Sequence, residues 1–549
     1  MKAWTIGLAL ICAVLPFTAV RNHAEVHDDV FLRGPGSLVA DARTDMAMLW
    51  QADLFASYGE ESGPSGMWRP LVLLGFRAEH VLTNGSPVAF AWLGHVVNVL
   101  LHALATLALL FVLVRIGLPE ASALVGAALF GLHPVHAESV AWLSGRSDLG
   151  ATALIWCGTA LLLAASAPSW RRLAAAAALM LAGLLFKETG ILLVALVPVL
   201  GILAGRPRRL VVTVPVLALG AWLLLRTWLF TRNVSTDGYM GPDDPAARWF
   251  TWASILPDVI RLGIWPGPAT PLRPVLEAHG PTSPGVISGV VLLVVLLALA
   301  TWAWRRRRAA PAFALLLLAG TLLMLAPWVR YPTGYPEVAA PLYERYAYAS
   351  AAAAPSLIAW LLRDWLGEHA VRLGAVLLVA AVCLAPVTRS RAAVWASDES
   401  YARAGLVSAP RSVNMWNHLG VALLERYRVE QDTAVGDDAL AAIDRALSLE
   451  PGHRLASLNQ FIAYVLLGRS EQALVAAARL VEHNPQDPAI LDNVANWHAT
   501  EGRWREAAEL FSREIETGRP LPGAAQALAE CVRRLEAAAP KPQSGEDER

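Results

Sequence analysis

The sequence predicts an all-α membrane protein in two parts, a polytopic helical bundle followed by a soluble array of paired helices. Three observations lead there. Apolar residues fill 56% of the 549 positions and charged residues only 16%, a balance unusual for a soluble chain of this length. The apolar residues fall in runs that can cross a hydrocarbon core about 30 Å thick. Beyond residue 389 those runs shorten, and polar residues return at helical spacing. With a formal net charge of zero, nothing points to a nucleic-acid partner, so the charges must be read by location. Cys12, Cys157, Cys383 and Cys531 are scattered with no CxxC pair. They read as small hydrophobes, not as a disulfide or zinc framework.

The first twenty residues, MKAWTIGLALICAVLPFTAV, read as an uncleaved first span. A cleaved signal peptide would leave the same downstream orientation. Further spans are expected near 88–114, 120–138, 149–167, 173–186, 190–204, 210–230, 284–304, 311–328, 346–362 and 371–388, about eleven in all with the first near 4–20. The pair 173–186 and 190–204 is short enough to dip into the bilayer as a hairpin. Lys2, Arg115, Arg171, Arg172, Arg206, Arg208, Arg209, the run Arg305 to Arg308, and Arg363 fall on alternate loops, which marks those loops as cytoplasmic. Arg389 and Arg391 are exceptions beyond the last span. This count puts the amino terminus inside and the carboxyl-terminal part outside.

The outward loops, the first covering about 21–87, then carry most of the acidic residues near the membrane. Ionisable groups at a membrane edge are costly unless functional, paired or solvated, so an extracytoplasmic active site is expected. The plainer alternative is that these loops merely lack arginine. A membrane domain at 1–388 would lead through a linker at 389–411 to repeats at 412–535 and a disordered tail at 536–549.

The repeats show in two 34-residue stretches, 454–487 and 488–521, in which Gly468 recurs as Gly502 and Ala473 as Ala507. Glycine permits the turn between paired helices and alanine their close crossing. The pattern is similar to tetratricopeptide repeats, with a stretched earlier copy at 412–453. Such arrays present a concave groove suited to a peptide or protein partner.

The charged motifs follow in order. HAEVHDDVFLRG places Asp28 and Asp29 just after the first span. RPLVLLGFR carries Arg69 and Arg77, whose planar forks suit phosphate, or which snorkel from an interfacial helix. GHVVNVLLHAL puts His95, Asn98 and His102 on one face of a span, where they would bond to other helices. HPVHAESVAWLSGRSD brings His133, His136, Glu138, Arg146 and Asp148 to the outer edge; a metal there is conceivable, but no second ligand set accompanies it. FKE sets Lys187 and Glu188 between two apolar runs, and ERYAY gives Glu344, Arg345 and Tyr346.

Taken together and in this order, the motifs and the repeats resemble the transmembrane and tetratricopeptide-repeat-containing O-mannosyltransferases and their bacterial relatives. The resemblance implies a C-type, multi-span glycosyltransferase fold. It also implies a polyprenyl-phosphate-linked sugar as donor, mannose or another hexose, and a protein Ser/Thr acceptor on the extracytoplasmic face. In that light Asp28 or Asp29 is expected to act as the base that deprotonates the acceptor, with inversion at the sugar. Glu138 and Asp148 form a second acidic cluster. Arg69, Arg77, Lys187 and Arg345 are the expected contacts for the leaving phosphate. His133, His136, Arg146, Glu188, Glu344 and Tyr346 line the site, and the need for a divalent cation is left open. The short repeat region and GPATPLRP in the 231–283 segment depart from the family pattern, which leaves sugar and acceptor unspecified. High alanine, leucine and arginine use with few lysines suggests a GC-rich bacterial genome, hence an inner membrane. The competing class is a membrane-anchored scaffold whose repeats do the work, although anchoring needs one span.

Overall fold

The computed structural model describes residues 1–34, 37–54, 66–165, 167–229, 245–265, 267–275, 278, 280–324, 340–367 and 369–538. Two compact units result, Met1–Ala409 and Pro410–Arg549.

The helices of the first unit are α1 (Ala3–Val14), α2 (Met46–Gln51), α3 (Pro70–Leu82), α4 (Pro87–Arg115), α5 (Glu120–Gly131), α6 (His136–Ala141), α7 (Arg146–Leu162), α8 (Trp170–Phe186), α9 (Gly190–Leu203), α10 (Arg208–Leu229), α11 (Pro245–Ile264), α12 (Pro284–Arg305), α13 (Ala309–Met324), α14 (Ala353–Leu366), α15 (Ala370–Ala392) and α16 (Asp398–Ser408). A two-residue antiparallel ladder pairs Pro274–Val275 with Ala340–Pro341.

Each run read as a span contains a helix. Among the described residues, five stretches are long and apolar enough to cross a membrane: Ala3–Asn22, Pro87–Arg115, Arg208–Leu229, Pro284–Arg305 and Ala370–Trp395. Their outward faces suit lipid. Val290, Val291 and Val294 on α12 and Leu378, Val379 and Val382 on α15 are exposed. Trp302 and Trp304 stand exposed ahead of the Arg305–Arg308 run, the aromatic and basic termination of an interfacial helix end. Cys383 is exposed on α15 and Cys157 partly so, whereas Cys12 and Cys531 are buried.

Four expectations need correction. The run 120–138 is not one helix. α5 stops at Gly131, Pro134 has no N–H to continue it, and the chain restarts as α6. α15 bonds two carbonyls at this break: the Thr388 hydroxyl donates to Leu132 O at 2.6 Å and Arg391 Nε to Pro134 O at 3.2 Å. The run 346–362 begins as two short 3-10 turns, Glu344–Ala347 and Ser350–Ala352, before α14.

The long segment 231–283 contains the 20-residue α11, which its interior Pro257 and scattered tryptophans conceal from a hydropathy reading. α11 lies against α12 so closely that a Cβ on Gly289 would sit 1.8 Å from Ala253 O. Finally, 389–411 is not a loose linker, because α15 extends through Ala392 and α16 is a capped, packed helix. Residues 230–244, the end of the 311–328 run, and 539–549 in the tail read as disordered lie outside the described residues.

The second unit is a succession of helix pairs: α17 (Val413–Glu430) with α18 (Thr433–Leu449), α19 (Arg454–Leu466) with α20 (Ser470–His483), and α21 (Pro488–Thr500) with α22 (Trp504–Glu516), followed by α23 (Ala524–Ala538). Gly468 and Gly502 turn between partners at φ of 69° and 74°, a left-handed conformation that glycine adopts without a Cβ penalty. Ala473 and Ala507 are fully buried at the crossings, beside a core that includes Phe461, Leu480, Ile490, Trp497 and Phe511.

Candidate active site

The site is built around the turn that joins α6 to α7. Asn98 on α4 donates its amide N–H groups to the carbonyls of Val140, Trp142 and Leu143, closest at 2.9 Å. The N–H groups of the same turn point the other way, to Asp29. Leu143 N–H and Ser144 N–H donate to that carboxylate at 3.2 and 3.0 Å, and the Ser144 hydroxyl at 2.7 Å. Asp29 is 1% exposed. Its burial pushes the carboxyl up to about 7, against the donors from Ser144 and Leu143 that favour the charged form. Asp29 is therefore the latch between the loop after α1 and this turn.

Asp28 differs in every respect. Its side chain is 23% exposed and its carboxylate meets His27 Nε2 at 3.2 Å. Adjacent residues point in different directions, and here one is an anchor and the other an accessible acid.

Three ion pairs cluster around Arg345. Glu138, on α6, bonds Arg345 at 2.5 Å and accepts the Arg345 backbone N–H at 3.3 Å. The Arg345 guanidinium stands 3.7 Å from the Tyr343 ring centroid, 4.8 Å from Trp142 and 5.4 Å from Tyr346, an aromatic cage for a cation. Burial raises the Tyr343 phenol to about 12, and the nearby Asp28 and Glu138 carboxylates push it the same way against Arg345, which ties Asp28 to this cage.

Lys187 Nζ donates to both oxygens of Asp148 at 2.7 Å and lies 5.8 Å from the Tyr346 ring centroid. Burial depresses Lys187, and Arg69 and Arg345 add to that while Asp148 opposes it. Arg69 grips Glu188 with two bonds, 2.7 and 3.1 Å. Burial alone would raise Glu188, but the charge and bonds of Arg69 outweigh it and hold the carboxyl at about 2.

A small cleft opens beside this cluster. Asp148, Thr189 and Tyr346 line its polar part, and Leu193, Leu196 and Leu317 are among its apolar walls.

The remaining expected residues lie apart from the cluster or brace it. Arg77 donates to Val39 O at 2.9 Å and braces the segment between α1 and α2. Arg146 is a buried strut from α7, paired with Glu79 at 2.7 Å and lying 3.8 Å from the Phe76 ring centroid. His133 bonds Ile264 O at 3.3 Å. His136 sits in an aromatic nest, with ring centroids 4.3 Å from Phe130 and 4.5 Å from Tyr348. Neither histidine joins Glu138 in a ligand set, and no group of three or more potential metal ligands forms among the described residues.

Glu344 is clasped by Arg391 and by Arg273, the latter at 2.6 Å. Arg391, an exception to the charge rule, is thus a buried fastener that also donates to Pro134 O and Gly267 O. That exception was the signal that could have found it. Trp142 and Tyr343 could be found only by their neighbours in space.

No family model matches the chain. Among known proteins, it is 35% identical over 190 residues to the protein O-mannosyl-transferase Tmtc1 of Drosophila melanogaster, covering 33% of this chain and 21% of that one. It is 33% identical over 262 residues to Tmtc2 of the same species, covering 44% and 26%. With human TMTC4 the identity is 34% over 122 residues, covering 20% and 16%. The matched stretches thus span about a quarter or less of the length of these relatives. By these matches, the chain is a relative of the TMTC protein O-mannosyl-transferase family.

Proposed function

We propose that this chain is a membrane glycosyltransferase that moves a hexose, mannose in keeping with its relatives' names, from a polyprenyl phosphate to a Ser or Thr hydroxyl of a polypeptide. The reaction takes place on the extracytoplasmic face of the bacterial inner membrane. The observation that carries the proposal is the part-exposed Asp28 near the Tyr343–Arg345 cage, with the Lys187–Asp148 pair at a cleft whose lining mixes Asp148, Thr189 and Tyr346 with leucines. Cations beside a lining of this mixed kind suit an amphiphile with a phosphate head and a hydrocarbon chain.

In the proposed step, Asp28 takes the proton of the acceptor hydroxyl as its oxygen attacks the anomeric carbon. The bond from that carbon to the phosphate oxygen breaks, its electron pair leaves with the phosphate, and the sugar inverts. Lys187 and Arg345 stabilise the departing charge. Each already has a carboxylate partner, so the phosphate must compete with Asp148 and Glu138 for them. Arg69, tied to Glu188, holds the next position in the cluster. The helix pairs after residue 410 read as tetratricopeptide repeats that recruit the polypeptide on the same side.

Membranes carrying the protein, supplied with polyprenyl-phosphate [³H]mannose, test this directly. Label should enter protein and be released by β-elimination. Label that never leaves the lipid, with either mannose or glucose as the sugar, refutes the reading.

A further inference from the structure

The loop bearing Asp28 is held by a helix much later in the chain. His27 adopts φ of 58°, a left-handed conformation that a side chain with a Cβ disfavours and that its surroundings must sustain. Those surroundings come from residues 395–401. The His27 N–H donates to Asp398 Oδ1 at 2.8 Å. Its imidazole stacks on Tyr401, with centroids 5.0 Å apart and planes 18° apart. Three residues earlier, Ala24 N–H donates to Ala396 O at 3.1 Å. Trp395 completes the wall, edge-on to Tyr401 at 5.1 Å and stacked on Trp142 at 5.8 Å.

Asp398 is not needed to cap its own helix. Ser397 and Ser400 already form a reciprocal capping box at the start of α16, so the Asp398 carboxylate is available to an N–H 371 positions away. Tyr401 is 2% exposed, and its ring serves as the platform for His27. The far side of His27 bonds Asp28 at 3.2 Å.

We infer that Asp398 and Tyr401 are positioning residues for the transfer reaction: they fix the left-handed turn at His27 and thereby aim the Asp28 carboxylate. This inference rests on the proposed reading of Asp28 as the base. It makes α16 part of the catalytic apparatus instead of a tether to the repeats.

The test uses the full-length protein in membranes and four variants. Asp398→Asn keeps an oxygen that can accept the His27 N–H, and Tyr401→Phe keeps the ring. Asp398→Ala and Tyr401→Ala remove them. The alanine variants should lose kcat on the order of 10²-fold, the usual cost of a misplacement near 1 Å, with the donor KM little changed. The conservative variants should recover most of the rate. Amide exchange in peptides covering residues 24–32 should accelerate in the alanine variants and stay near wild type in the other two.

Alanine variants with undiminished kcat overturn the inference. So do conservative variants that fall as far as alanine, or losses that appear in KM alone. A wild-type protein that transfers no sugar refutes the transfer reading instead, and the exchange data would then show whether α16 holds the His27 turn.

Discussion

The most demanding consequence concerns Asp29. The structure buries this carboxyl completely under three donors from Leu143 and Ser144 and raises its folded-state value from 3.8 to about 7. An acid whose folded pKa lies above its unfolded pKa binds its proton more tightly when folded. Its contribution to stability is therefore intact below about pH 4 and is lost as pH rises towards 7. Between pH 5 and pH 8 the folded protein gives up about two pH units of that linkage, or roughly 3 kcal/mol at 1.4 kcal/mol per unit.

Asp29→Asn cannot titrate, so its stability should not carry this slope. Its amide group would face the Leu143 N–H donor to donor, a fixed cost of about 1–3 kcal/mol for an unsatisfied buried group. The variant should thus be clearly weaker than wild type at pH 5 and close to it, or stronger, at pH 8. Thermal unfolding in detergent, followed by tryptophan fluorescence at several pH values, reads this directly, with Asp28→Asn as a control that keeps the slope. Parallel pH dependences for wild type and Asp29→Asn would refute the latch.

Three other outcomes follow from the packing. Asp148→Asn strands the Lys187 ammonium in a buried site and should cost about 3–5 kcal/mol, while Asp148→Leu with Lys187→Met should be much better tolerated; thermal inactivation rates separate the two. Gly289→Ala drives a methyl into Ala253 O and should lower the melting temperature and speed proteolysis between α11 and α12. Gly468→Ala imposes a Cβ at φ of 69°, which should destabilise the second unit by about 1–2 kcal/mol without altering amide exchange around Asp28.

Much of the architecture was legible because bilayer crossing demands long apolar runs and because glycine and alanine mark paired helices. Gly468, Gly502, Ala473 and Ala507 occupy turns and crossings as their chemistry requires. The limits were physical. Hydropathy cannot register α11, whose tryptophans and Pro257 dilute its signal, nor the break at Pro134, whose neighbouring carbonyls bond to α15.

At the site, residue type and order located the clustered charges, but not their pairing. Arg69 meets Glu188 across 119 positions, and Arg345 meets Glu138 across 207. Only the folded chain distinguishes a part-exposed Asp28 from a buried Asp29, and only it pairs Arg77 with Val39 O and Arg146 with Glu79. Asp398 and Tyr401 carried no local signal at all, since their partner lies at the opposite end of the membrane unit.

The central claim is that Asp28 accepts the proton during sugar transfer. The measurement is single-turnover transfer from polyprenyl-phosphate mannose by wild type and Asp28→Asn in matched membranes, with folding verified by unfolding temperature. A fall on the order of 10²–10⁴-fold in rate, with donor binding retained, is the predicted result. A folded Asp28→Asn protein that transfers sugar at the wild-type rate contradicts it.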